Sequence, residues 1–175
     1  MTWIEVADSA VKIGLGALLG GVFGLMIAWV NNRSQSLKGY YERRRTLLEH
    51  ILESVDSASN SAATYWANLM NGVYKRDTNQ RLSDDELSSL QGLERQFFAA
   101  FSSLNSSAAK LLLLGEEQAE ASLAELRLAF ENFFKVANID GDKCTKVLLE
   151  EHKMAMSKAR RAFFQSLSEA YKRQS

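Results

Sequence analysis

The side chains best able to do chemistry are few in this sequence, and their spacing does not suit it. His50 and His152 are its only histidines. A zinc helix of the His-Glu-x-x-His kind is missing. Leu47 and Leu149 stand where a Glu-x-x-His di-iron pair would need glutamate. Cys144 has no His or Asn context that would mark a nucleophile. Residues 138–142 read Asn-Ile-Asp-Gly-Asp. They resemble a fragment of a calcium loop but lack its other acidic positions and its closing Glu, so they read as a turn. No phosphate-cradling glycine loop and no Gly-x-Ser-x-Gly elbow occurs. The expectation is a protein without catalytic activity, metal or cofactor.

Two basic clusters are the better candidates. Lys158, Arg160 and Arg161 precede Phe163 and Phe164. Cations interleaved with aromatic rings can hold an anionic, phosphate-bearing ligand such as a nucleotide or oligonucleotide. The plainer alternative is pairing within the fold. Residues 116–138 carry two basic and five acidic side chains, whereas residues 139–175 carry eight basic and five acidic. Neighbouring helices would then neutralise each other. The second cluster, Arg43, Arg44 and Arg45, suits an orientation signal or contact with anionic headgroups.

The elements that carry these residues follow from composition. The chain has 175 residues, 21 basic and 21 acidic, one cysteine and no proline. Average usage would give roughly nine prolines, and their absence suits long uninterrupted helices. A hydrophobic share of 46% argues against global disorder. One cysteine excludes an intrachain disulfide framework. Zero net charge argues against a protein that coats DNA.

Residues 13–30 are uncharged, and Trp3 and Trp29 flank them. As a helix, the two indoles would lie about 39 Å apart, the spacing of two bilayer interfaces. This predicts a membrane anchor rather than a cleaved signal peptide, whose apolar part would be shorter. Glu5, Asp8 and Lys12 precede the run, and Arg33, Lys38 and Arg43–Arg45 follow it. The positive-inside rule then predicts a single-pass protein, N-terminus outside and helical body cytoplasmic. Domains are expected at 1–32 and 33–175.

Within this helix, Ala7, Ala10, Gly14, Ala17, Gly21, Gly24 and Ala28 recur three and four apart, and Gly16, Gly20 and Gly24 form overlapping GxxxG units. Small residues let membrane helices touch backbone to backbone, so the stripe predicts self-association. A larger ring could open a path with Asp8 and Lys12 at its outer mouth, where dewetting can gate conduction.

The body reads as four further helices. The first follows Leu37, Tyr41, Leu48, Ile51, Val55, Ala58, Ala62, Tyr65 and Leu69 to about Lys75, with a heptad gap at Arg44. The Ser/Ala-rich section 54–64 offers another helix a close approach. A polar turn over 76–82 leads to Ser83 and Glu86, a capping box. The second helix uses Leu87, Leu90, Phe97, Phe101, Leu104, Ala108 and Leu111 inward and stops at Gly115. The third turns Ala119, Leu123, Leu126, Phe130 and Phe133 inward. The last, from about Asp142 to Lys172, is expected to bury Val147, Leu148, Met154, Phe163, Phe164, Leu167 and Tyr171. The expected fold class is therefore all-α, one N-terminal transmembrane helix followed by a long-helix cytosolic four-helix bundle.

The Gly-rich segment 14–21, the basic stop at Arg43–Arg45 and a helical bundle containing residues 111–115 (Leu-Leu-Leu-Leu-Gly) together resemble the layout of small single-pass membrane effectors of bacterial anti-phage defence, including the Hailong-type channel effector. The resemblance implies an oligomeric channel gated by a signalling molecule, with a partner enzyme encoded nearby. The functional expectation is thus an oligomeric membrane effector, a ligand- or partner-gated channel or membrane-perturbing protein. The alternative is a non-conducting membrane-anchored scaffold that recruits a cytosolic partner. Expected partners are the membrane, further copies of the chain, and a cytosolic protein or a nucleotide or oligonucleotide signal.

Overall fold

The computed structural model describes the backbone of residues 3–139 and 144–172 and, along the first helix, side chains from residue 39 onward. Four helices follow in order: α1 (Trp3–Asp77), α2 (Asp84–Leu113), α3 (Glu117–Val136) and α4 (Lys146–Lys172). The chain divides into two units, Met1–Arg43 and Arg44–Ser175. In the first, Tyr40 and Tyr41 are both exposed and meet edge to face at 5.8 Å. The second holds the core.

On α1 the three-four repeat does what its spacing requires. Leu48, Ile51, Val55, Ala58, Ala62, Tyr65, Leu69 and Val73 are all buried. Hydroxyls in the Ser/Ala section bond back to their own helix: Ser59 Oγ donates to the Val55 carbonyl and Thr64 Oγ1 to that of Asn60. Ala58 and Ala62 of this section are buried, and Ser59, Ala62 and Ala63 line one pocket with Phe130 of α3 and Met156 and Ser157 of α4. Larger side chains hold α1 against its neighbours. Tyr65 stacks among Phe97 and Phe133 and donates its hydroxyl to the Ala137 carbonyl at 2.7 Å. Gly72 marks one place where the helix must be thin, since a Cβ there would lie 2.8 Å from Ile139 Cδ1.

The helix ends are specified residue by residue. Asn79, with φ of 55°, ends α1. Its N–H donates to the Arg76 carbonyl, and the Gln80 N–H to that of Lys75, which is a Schellman motif. Gly115, with φ of 71°, ends α2 in the same way, through its own N–H to Leu112 and that of Glu116 to Leu111. Ser83 and Glu86 form the expected capping box at the start of α2, and Lys75 pairs with Glu86 across the turn. Arg76 donates to the carbonyls of Ile139 and Cys144, so one guanidinium holds both flanks of the α3–α4 connection.

The expected fold class needs correction. The chain is all-helical with bundle-like packing, but the transmembrane helix drops out of the description. Among the described residues, no helix is long and apolar enough to cross a membrane. The described part of α1 shows why. Near its start it carries Glu42, Arg43, Arg44 and Arg45, and further on Glu49, Glu53 and Asp56. The uncharged stretch 57–74 contains Asn60, Asn68 and Asn71 beside Ser57, Ser59 and Ser61, whose polar groups are costly to place in hydrocarbon. The run 13–30, on which the expectation rested, lies outside the residues with described side chains. One helix, Trp3–Asp77, covers both the expected N-terminal helix and the first helix of the body.

The register of α4 also differs from expectation. Phe163 and Leu167 are buried, but Val147, Met154 and Tyr171 are 67%, 71% and 42% exposed. Leu149, Met156, Ser166 and Ala170 take the inward places. The helix begins at Lys146, later than the expected start at about residue 142.

Candidate interaction surface

The basic residues of α4 sit on a helix whose inner face is fixed by Leu149, Met156, Phe163, Leu167 and Ala170. Helical spacing then forces Val147, Glu151, Met154, Lys158, Arg161, Gln165, Ser168 and Lys172 into one outward stripe, three and four apart. All eight are exposed. Between Glu151 and Glu169 the helix carries Lys153, Lys158, Arg160 and Arg161 and no acidic residue. Lys158, Arg161 and Lys172 have no counter-ion among the described residues.

Arg160 behaves differently. It lies beside the stripe and reaches α1, where its Nη2 donates to Asp56 Oδ1 at 2.8 Å. Its guanidinium lies 4.8 Å from the Phe164 ring centroid. Nearer the start of the helix, Lys153 Nζ lies 3.7 Å from the centroid of Trp66, whose indole N–H donates to the Leu149 carbonyl. The two rings beside the basic stretch therefore already carry protein cations. An open groove of about 810 Å³ runs past Arg160, Arg161, Phe164 and Lys172. The expected cluster Lys158, Arg160, Arg161 is thus split by the fold. Lys158 and Arg161 face outward, and Arg160 is held by α1 rather than by the acidic α3.

No family model, curated protein or solved structure matches this chain.

The second basic cluster is separated too. Arg43 is exposed and closes the first unit. Arg45 pairs with Glu49 one turn on, at 2.8 Å, in the open. This hydrogen bond to Glu49 is the main reason its guanidinium pKa lies above the ordinary value. Arg44 turns inward at the heptad gap. Its Nη1 donates to the Leu114 carbonyl at 3.2 Å, and its Nη2 pairs with Glu116, which is 3% exposed. The arginine lies at the C-terminus of α2, and the carboxylate at the N-cap of α3. Each charge therefore meets the helix end that favours it.

His50 is exposed and lies 3.4 Å from Glu53, whereas His152 is half-buried on α4. No group of three His, Cys, Asp or Glu side chains that could hold a metal exists among the described residues. Cys144 is buried, and burial pushes its thiol pKa up, against a smaller opposing pull from Arg76. Such a thiol is a poor nucleophile. Gly14, Gly16, Ala17, Gly20, Gly21, Gly24, Ala28, Asp8 and Lys12 lie outside the residues with described side chains. Sequence reasoning missed Asp56, Trp66 and Lys153 as partners of the basic face. It also missed the outward seam, which Val147 and Met154 signal by their seven-residue spacing.

Proposed function

We propose that the protein is a non-catalytic helical adaptor that recruits an acidic partner protein through the outward face of α4. The observation that carries this reading is the stripe itself. Val147 and Met154 expose apolar surface in line with Lys158, Arg161 and Lys172, which have no counter-ion among the described residues. A helix with an apolar seam and acidic flanks complements that combination. A nucleobase would be less well served, because Arg160 and Lys153 already occupy the adjoining rings. The conducting reading rests on residues 13–30, whose side chains lie outside the described residues.

The test uses the full chain and a labelled acidic peptide designed as an amphipathic helix with leucines along one seam, followed by fluorescence anisotropy. Lys158→Glu with Arg161→Glu is expected to weaken binding by about tenfold or more, and added salt to narrow the gap. Met154→Ser should weaken this peptide while leaving poly-glutamate binding unchanged. Equal affinity for wild type and the double variant would overturn the reading. So would tighter binding of a single-stranded oligonucleotide of matched charge.

A further inference from the structure

The α2–α3 seam carries a surface of another kind. Phe97, Phe101 and Phe130 form its floor between α2 and α3, and Phe98 and Phe134 form its walls. The groove they enclose is about 190 Å³. Ring centroids lie 5.6 Å apart for Phe97 and Phe130, and 6.1 Å apart for Phe98 and Phe134. The core does not need both walls, since Phe98 is 58% and Phe134 38% exposed. Paired aromatic rings left in water on one groove mark a contact surface.

The rim identifies the occupant. Its charged residues are Glu131 and Lys135, one turn apart on α3 and therefore on the same face. They do not pair with each other. Glu131 has no partner among the described residues, and Lys135 Nζ reaches only the neutral Asn132 Oδ1, at 3.3 Å. A two-fold axis crossing α3 between them would bring Glu131 of one copy onto Lys135 of the other, twice, with the Phe134 rings enclosed. That is the self-complementarity of an isologous contact. We propose that the α2–α3 aromatic groove is the seam of a homodimer formed with a second copy of this chain. The proposal is independent of the role assigned to α4, which lies on residues the seam does not use.

The test keeps the full chain and changes only exposed residues of the groove, so that folding is preserved. Sedimentation equilibrium gives the self-association constant, and energy transfer between differently labelled variants reports pairing through this face. Glu131→Lys and Lys135→Glu should each weaken self-association by about tenfold, because each brings like charges together twice. Mixed together, the two variants should pair with each other in preference to themselves. The double variant Glu131→Lys/Lys135→Glu should return to wild-type association. Phe98→Glu should abolish pairing in every combination. Overturning results would be a monomer at all concentrations reached, or self-association that none of these changes moves. Another would be two charge variants that show no preference for one another.

Discussion

Two arginine–carboxylate pairs tie α1 to the rest of the bundle in opposite surroundings. Arg44 meets Glu116 where their side chains are 14% and 3% exposed. Arg160 meets Asp56 where the figures are 44% and 49%. The contact chemistry is the same, but the consequences are not. In the interior, removing one partner leaves the other as a buried charge without its ion pair. At the surface, water takes over most of what the partner did. The first pair therefore belongs to folding. The second adjusts the charge presented by α4.

Breaking the inner pair should have the largest effect. Arg44→Met takes the ion-pair partner from the buried Glu116 carboxylate and a donor from the Leu114 carbonyl. The expected loss of stability is about 3–5 kcal/mol by urea titration. Arg44→Met with Glu116→Leu should recover much of it, because the buried charge goes with its partner. A loss below about 1 kcal/mol for the single variant would place Arg44 in the same class as Arg160.

Next is an uncharged buried contact. Tyr65→Phe keeps the ring stack but deprives the Ala137 carbonyl of its donor, at a cost of about 1–2 kcal/mol. Burial, chiefly, pushes the Tyr65 pKa up from its ordinary value of 10. A raised folded pKa in a group that ionises to an anion stabilises the fold below that ordinary value, and the benefit falls as pH rises beyond it. Wild type should therefore lose stability above about pH 10, and Tyr65→Phe should lose less.

Lys75 and Glu86 supply the surface analogue at the other end of α1. The hydrogen bond from Lys75, followed by that from the Ser83 N–H, holds the Glu86 carboxyl below its ordinary pKa. A depressed carboxylate contributes stability above its unfolded pKa and loses it as pH falls through the folded one. Acid titration should show this as a small loss below about pH 4.5. Glu86→Gln should flatten it without altering the alkaline loss assigned to Tyr65.

Periodicity alone revealed the residues whose burial depends on spacing. All five inward positions read for α3 are buried, as is every α1 heptad position from Leu48 to Leu69. Local chemistry revealed the capping box and the Gly115 stop. Arg44 was illegible because it is a charge at an apolar position. Its stabilisation comes from Glu116, 72 residues away, and from a carbonyl freed by the end of α2. The register of α4 was illegible for a different reason. Val147 and Met154 give the helix apolar residues on two faces, and only packing against α3 decides which turns inward. The basic stretch was visible as composition, but its division into two outward cations and one held by Asp56 depends on where α1 lies.

That division yields the smallest expected change in stability and sharpens the comparison. Asp56→Asn removes the counter-ion of Arg160 while conserving shape. With both groups more than two-fifths exposed, the stability change should stay within about 0.5 kcal/mol. The same substitution raises the net positive charge beside Lys158 and Arg161 by one. Binding of the acidic amphipathic peptide should therefore tighten severalfold at low salt, with the gain shrinking as salt is added. The inner pair should show the reverse. Arg44→Met lies off the α4 face, so under conditions where that variant remains folded its affinity for the peptide should equal wild type's.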